Sequence, residues 1–272
     1  MKVTRIAGAL GAELWDVDLA RPLPKERLAE LRRLWLEHLV LFFRDQDLNE
    51  KQYLAFAQQI GEPIEYPMLR GLEGYPKITE VKKLEHERVA FGGIWHTDTA
   101  YLERPPMASM LLAREVPPAG GDTLFANMYL AFDSLSSGLK DLLKGLKAVN
   151  SSTKADASKT REDRIRSDGI PASDFVAEHP VVRTHPETGR KALYVNSGHT
   201  VRFAGWTEDE SAALLRFLFD WQTRPEFTCR FAWRPGSLAL WDNRCVQHNP
   251  VNDYHGHRRV MHRITLAGDV PA

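Results

Sequence analysis

The chain has 272 residues, with 36 basic and 36 acidic side chains, 43% hydrophobic residues and two cysteines. This excludes a disordered, fibrous or disulfide-stapled chain and leaves ample length for a core. Zero formal net charge removes the cationic excess on which nucleic-acid and anionic-membrane binding depend, so neither partner is expected and small molecules are.

The amino terminus interrupts its apolar residues with Arg5, Glu13, Asp16 and Asp18, which fits neither a signal-peptide core nor a membrane span. A cytoplasmic protein is expected, with Cys229 and Cys245 as core thiols. Alternation at Val3 to Ile6 and Ala12 to Val17 reads as strand, and Pro22 to Pro24 as a turn. Leu28, Leu31, Trp35 and Leu39 then recur at helical steps opposite Lys25, Glu26, Glu30, Arg32 and Arg33. Val40 to Phe43 reads as a buried strand. Asn49 caps a second helix through Gln59, which Gly61 ends in the usual glycine position.

From residue 77 onward short β-like runs dominate: Ile78 to Val81, Met107 to Ala113, Thr123 to Ala126, Val181 to Thr184 and Ala192 to Val195. Phe227 to Trp233, Leu238 to Trp241 and Val260 to Ala267 follow, after an amphipathic helix from Glu208 to Gln222. The expected fold is mostly β with flanking helices, a sandwich or jelly roll. Asn150 to Ser173 is charged and lacks apolar periodicity. It reads as a solvated loop or as a mobile lid over 150–173 ordered by ligand. No repeat or interdomain linker is evident, so residues 1–272 are expected to form one domain.

In Trp95-His96-Thr97-Asp98 an imidazole and a carboxylate are separated by one residue. On an extended backbone both leave the same face and can reach one metal ion. With 10 histidines and 36 acids, roughly one such triplet arises by chance. A second one, His185-Pro186-Glu187, sits in a hairpin-like turn ending at Arg190 and reads as a turn. The first follows Gly92-Gly93 and precedes an aromatic, proline-rich stretch, which favours His96 and Asp98. Two histidines and a carboxylate with open positions opposite suit non-haem Fe(II) oxygenases, and zinc hydrolases use the same donors. His199, His248, His255, His257 and His262 are candidates for the third ligand. His248 stands out because Leu238 to Trp241 and Asp242-Asn243-Arg244 carry it to the edge of the core.

Along Arg258 to Leu266, period two puts Arg259, Met261, Arg263 and Thr265 on one face and Val260, His262, Ile264 and Leu266 on the other. If the arginine face points inward, each guanidinium needs an anion, and its rigid fork suits carboxylate, phosphate or sulfonate. If it points outward, the pair is a charged edge. Periodicity leaves both readings open.

Taken together, Trp95 to Asp98 with Pro105-Pro106, Gly120 to Leu124, Trp241 to Arg244, His248 and Arg258 to Arg263, in this order over nearly the whole chain, resemble the taurine dioxygenase family of Fe(II)/2-oxoglutarate-dependent oxygenases. The resemblance implies a double-stranded β-helix, Fe(II) held by His96, Asp98 and His248, and a reaction consuming 2-oxoglutarate and dioxygen. It matches Arg259 to the arginine gripping the distal carboxylate of 2-oxoglutarate, Thr123 to the hydroxyl assisting it, and Arg263 to a sulfonate-binding arginine. The implied reaction is oxidative decarboxylation to succinate and carbon dioxide, coupled to hydroxylation of a nearby C–H bond.

Three positions depart from the taurine pattern: Tyr66 replaces a sulfonate-binding histidine, Leu69 a polar tyrosine and Gly92 an amine-binding asparagine. Loss of amine contacts with retention of Arg263 points away from taurine, toward a less polar sulfonate, alkyl sulfate or aryloxy acid. The alternatives are a zinc-dependent hydrolase and a non-enzymatic jelly-roll binding protein. A homo-oligomer, dimer or tetramer, is expected, and an exposed apolar amino-terminal helix would be consistent with dimers.

Overall fold

Alternation within the strands decides the architecture. In the computed structural model, which describes residues 1–67, 69–154 and 175–272, β1 (Lys2–Arg5) and β2 (Ala12–Trp15) precede α1 (Lys25–His38), β3 (Val40–Phe43), α2 (Glu50–Ile60), β4 (Pro63–Ile64) and β5 (Ile78–Lys83). Next come β6 (Ala108–Glu115), β7 (Thr123–Asn127), α3 (Met128–Asp133), α4 (Ser137–Lys144), β8 (Lys147–Ser151), β9 (Val176–Pro180), β10 (Val182–Thr184), β11 (Lys191–Leu193) and β12 (Thr200–Phe203). The chain continues through α5 (Glu208–Gln222), β13 (Thr228–Phe231), β14 (Leu238–Asp242), β15 (Val246–Pro250) and β16 (Arg259–Leu266).

The large sheet runs β1-β2-β3-β14-β6-β16, with β4 and β5 both on the far side of β16. A smaller sheet, β13-β7-β15, lies against it. Phe42 of β3 stacks on Phe231 of β13 with centroids 4.0 Å apart, and Phe125 of β7 meets Trp241 of β14 at 5.7 Å. Their neighbours Leu41, Phe43, Leu238 and Leu240 turn to the opposite face and pack on Trp35 of α1 and Phe56 of α2. The centre of the large sheet, β3 and β14, is therefore buried on both faces, which is why these strands read as continuous apolar runs. The result is the expected jelly roll with flanking helices. Among the described residues no helix is long and apolar enough to cross a membrane.

Several boundaries differ from expectation. The Phe227 to Trp233 run begins as a 3-10 turn, Pro225–Phe227, and becomes strand only at Thr228. Asn49 caps α2 through a reciprocal pair with Gln52, but Gly61 leaves the helix with extended backbone, φ −174°, rather than the left-handed turn expected of a terminal glycine. Leu39 supplies that geometry to α1 instead, with φ 66° and its N–H on Trp35 O at 2.7 Å. The apolar side of α1 (Leu31, Leu34, Trp35) is buried against the chain's own sheet, so α1 does not present the exposed apolar side that would be consistent with dimers. Asn150 and Ser151 belong to β8 and are buried, so the expected loop does not begin at residue 150. The remainder of the expected lid, from 155 on, lies outside the described residues.

Candidate active site

β15 and the segment after Gly92-Gly93 meet in a single antiparallel bridge. His96 N donates to His248 O at 3.0 Å and His248 N to His96 O at 2.9 Å. The bridge brings the two rings to 4.2 Å centroid separation. Two residues on, Asp98 returns to the same side, with Oδ1 3.6 Å from His96 Nε2 and 3.9 Å from His248 Nε2. These distances exceed a hydrogen bond. They suit donors sharing one cation, since two atoms each about 2.1 Å from an ion lie no more than about 4.2 Å apart. All three residues are buried.

The protonation pattern fits the same use. His96 Nδ1 donates to Ile94 O at 2.7 Å, which orients the ring and leaves Nε2 facing Asp98 and His248. Burial pushes the His248 imidazole down to about 3, with His96 adding to the effect and Asp98 opposing it, so the ring is neutral near pH 7. Burial alone would raise the Asp98 carboxyl, but His248, Arg263 and His96 outweigh it and hold the group well below the usual carboxylate range. Phe125 and Trp241 pack on the His248 ring at 6.2 and 4.8 Å. The donor set, two imidazoles and one carboxylate, suits a divalent transition metal.

Behind this cluster β16 turns its arginine face inward, which settles the question that periodicity left open. Arg259 and Arg263 are each 5% exposed. They border one pocket together with His96, His248, Thr123 and Gly92. Nε and Nη2 of both arginines are buried without a hydrogen-bond partner. Arg259 lies with Cζ 5.8 Å from the Trp233 ring, and burial lowers its pKa. Thr123 Oγ1 accepts from Trp233 Nε1 at 2.9 Å, which leaves its own proton free to donate. Arg263 stands with Cζ 4.0 Å above the Tyr66 ring and 5.7 Å from Phe91, and its Nη1 reaches Asp98 Oδ1 at 3.4 Å.

Of the three departures from the taurine pattern, Gly92 borders the cavity. Its φ is +70°, and a Cβ there would stand 3.0 Å from His96 Cε1. Tyr66 meets the site through the Arg263 guanidinium. Leu69 is half-buried and is not among the described residues bordering the cavity. Of the other histidines, His199 lies 5.9 Å from His96 ring to ring, outside the three-donor cluster, and burial pushes its imidazole down to about 3 with His96 contributing. His255 and His257 are exposed. His262 is on the opposite face of β16, where it accepts from Arg114 Nε at 3.1 Å.

His185 is indeed in the β10–β11 turn, yet it is 1% exposed and its Nε2 bonds Asp242 Oδ2 at 3.0 Å. Reading it as a turn residue missed this partner, 57 positions away. Trp233, which orients Thr123, carried no motif signal beyond being a tryptophan at the end of a β-like run.

The family model described as "Taurine catabolism dioxygenase TauD, TfdA family" matches residues 2–265. The alkylsulfatase of Acinetobacter baylyi is 34% identical over 278 residues, covering 99% of this chain and 86% of that one. The alpha-ketoglutarate-dependent sulfate ester dioxygenase of Pseudomonas putida is 35% identical, covering 100% and 91%. A crystal structure of a taurine dioxygenase from Burkholderia xenovorans superposes with a TM-score of 0.85 at 37% identity, covering 100% of this chain and 92% of that one.

Proposed function

Since the chain belongs to the TauD, TfdA family, we infer that it is an Fe(II)- and 2-oxoglutarate-dependent dioxygenase acting on a small organic anion, an alkyl sulfate or related sulfate ester before taurine. One observation carries this reading: a three-donor cluster shares its cavity with two buried guanidiniums, each with unpartnered N–H groups. One anion fits a hydrolase or a binding protein. Two anions flanking a metal-donor set fit an enzyme that takes a carboxylate cosubstrate and an anionic substrate together.

In this reading residues 1–272 form one catalytic domain, and His96 Nε2, Asp98 Oδ1 and His248 Nε2 hold iron. The iron, when bound, supplies the oxygen-activating chemistry. Arg259 clasps the distal carboxylate of 2-oxoglutarate, and Thr123, its lone pair engaged by Trp233, donates its proton to the same group. Arg263, with Cζ 4.0 Å from the Tyr66 ring, binds the sulfate. The walls near Arg263 are apolar, with Phe91, Val81 and Leu111, and Gly92 offers no side-chain acceptor to a substrate ammonium. These features suit an alkyl tail and do not suit taurine. Hydroxylation beside the ester oxygen gives a product that breaks down, so the net outcome is cleavage. Relatives include an alkylsulfatase, a sulfate ester dioxygenase, a sulfonate dioxygenase and a 2,4-dichlorophenoxyacetate dioxygenase.

The test is succinate release with Fe(II), 2-oxoglutarate and air, across alkyl sulfates, sulfonates, aryloxyacetates and taurine. Stimulation by a medium-chain alkyl sulfate at least tenfold above that by taurine is expected. Preference for taurine would overturn the substrate assignment, and cleavage that proceeds without oxygen would overturn the reaction class.

A further inference from the structure

Behind Asp98 lies a buried hydrogen-bond chain that the proposed reaction does not use. Ser109 Oγ bonds Asp98 Oδ2 at 2.5 Å, Asn243 Nδ2 bonds Ser109 Oγ at 3.0 Å, and Trp241 Nε1 bonds Asn243 Oδ1 at 2.9 Å. Ser109 and Asn243 are wholly buried and Trp241 is 2% exposed.

The direction of this chain is forced. An indole N–H only donates, so the Asn243 amide must turn its oxygen to Trp241 and its NH2 to Ser109. Ser109 Oγ thus accepts from Asn243, and its single proton goes to Asp98 Oδ2. That oxygen is engaged from behind, while Oδ1 alone faces His96 Nε2, His248 Nε2 and Arg263 Nη1.

The turn after β14 is built to hold this arrangement. Asn243 N donates to Met107 O at 2.9 Å. The alternate residues of the same turn point elsewhere: Asp242 takes His185 at 3.0 Å and Arg244 at 2.7 and 2.8 Å, and Arg244 Nη1 continues to Glu187 at 2.7 Å. Trp241-Asp242-Asn243-Arg244 therefore divides into two residues that reach toward the metal carboxylate and two that pin the turn to the β10–β11 hairpin.

We propose that Ser109 and Asn243 are positioning residues, which act through Asp98 by reserving Oδ2 for the protein and presenting Oδ1 alone to the metal. This rests on the reading of His96, Asp98 and His248 as metal ligands. With Oδ2 released, the carboxylate can rotate or bind through both oxygens and would occupy a position that the cosubstrate needs.

The experiment is anaerobic titration of the metal-free full-length protein with Co(II) alone, followed by visible absorption and by affinity, for the wild type, Ser109→Ala, Asn243→Ala and the double variant. Near-ultraviolet circular dichroism of each metal-free protein reports whether the packing survives. Outer partners of metal ligands typically change affinity by about 10- to 100-fold. Ser109→Ala is expected to weaken Co(II) binding by about that factor and to alter the cobalt spectrum. Asn243→Ala should do so less, and the double variant should be no weaker than Ser109→Ala, because Asn243 works through the serine. Co(II) affinity within twofold of wild type and an unchanged spectrum for Ser109→Ala would overturn the proposal, as would losses that simply add in the double variant. Should Ser109→Ala fail to fold, Asn243→Ala decides alone: an altered spectrum supports the relay and an unaltered one refutes it. A wild-type protein that binds no Co(II) would instead sink the metal-site reading beneath it.

Discussion

Replacing Arg259 by methionine should move two quantities in opposite directions. The guanidinium is 5% exposed, and its Nε and Nη2 are buried without a hydrogen-bond partner. With 2-oxoglutarate bound, these groups gain a carboxylate. Truncating one side of a buried, hydrogen-bonded charge pair costs about 2–5 kcal/mol, so cosubstrate affinity should fall by roughly 30- to 4,000-fold. Without cosubstrate the same guanidinium is a buried charge with Cζ 5.8 Å from the Trp233 ring, where burial opposes its charge and Tyr254 and Asp122 favour it. Methionine of similar length removes that desolvation, and a stability gain of about 1–3 kcal/mol is expected. Isothermal titration with 2-oxoglutarate under anaerobic Fe(II) measures the first quantity, and thermal unfolding of the metal-free protein the second. Near-normal cosubstrate affinity, or a free protein less stable than wild type, would refute the reasoning.

Arg263→Ala should retain 2-oxoglutarate affinity within a few fold while substrate no longer stimulates succinate release. Equal loss of both would show that the two arginines do not divide the work. Gly92→Ala places a Cβ 3.0 Å from His96 Cε1 at φ +70°, so a stability loss of about 1–2 kcal/mol and weaker Co(II) binding are expected, read by urea unfolding and titration. Burial alone would raise the Asp242 carboxyl, but Arg244 and His185 outweigh it and hold it well below its usual range. A depressed folded pKa contributes stability above the unfolded value of about 3.9, and that stability is lost as pH falls toward the folded pKa. Asp242→Asn should therefore cost about 3–5 kcal/mol near pH 7, and the deficit should shrink below about pH 4 in urea titrations at stepped pH.

The strands and the candidate metal donors were legible because each leaves a local trace. Arg259, Met261 and Arg263 share a face by period two, and a strand buried on both sides leaves an apolar run such as Val40 to Phe43. His248 could be singled out because the turn after β14 ends at the core edge. Which way the arginine face pointed was not legible from periodicity, since alternation is the same for a charged edge and for a buried anion site. Met128 to Phe132 gave no helix signal: α3 has six residues, is apolar nearly all round and follows β7 without a break. Its only cue is Asn127, whose side chain accepts from Tyr129 N and Leu130 N. Ser109 was invisible for a different reason. A lone hydroxyl in a strand carries no pattern, and its partners Asp98 and Asn243 are 11 and 134 residues away.

The central claim is that His96, Asp98 and His248 gather one ferrous ion beside a cosubstrate anchored by Arg259. Anaerobic titration of the metal-free protein with Fe(II) and then 2-oxoglutarate tests it most directly, followed by visible absorption. A weak charge-transfer band that appears only with both additions, and is lost in Asp98→Ala, is the result expected. Fe(II) binding with no such band, or a band that survives the loss of Asp98, would contradict it.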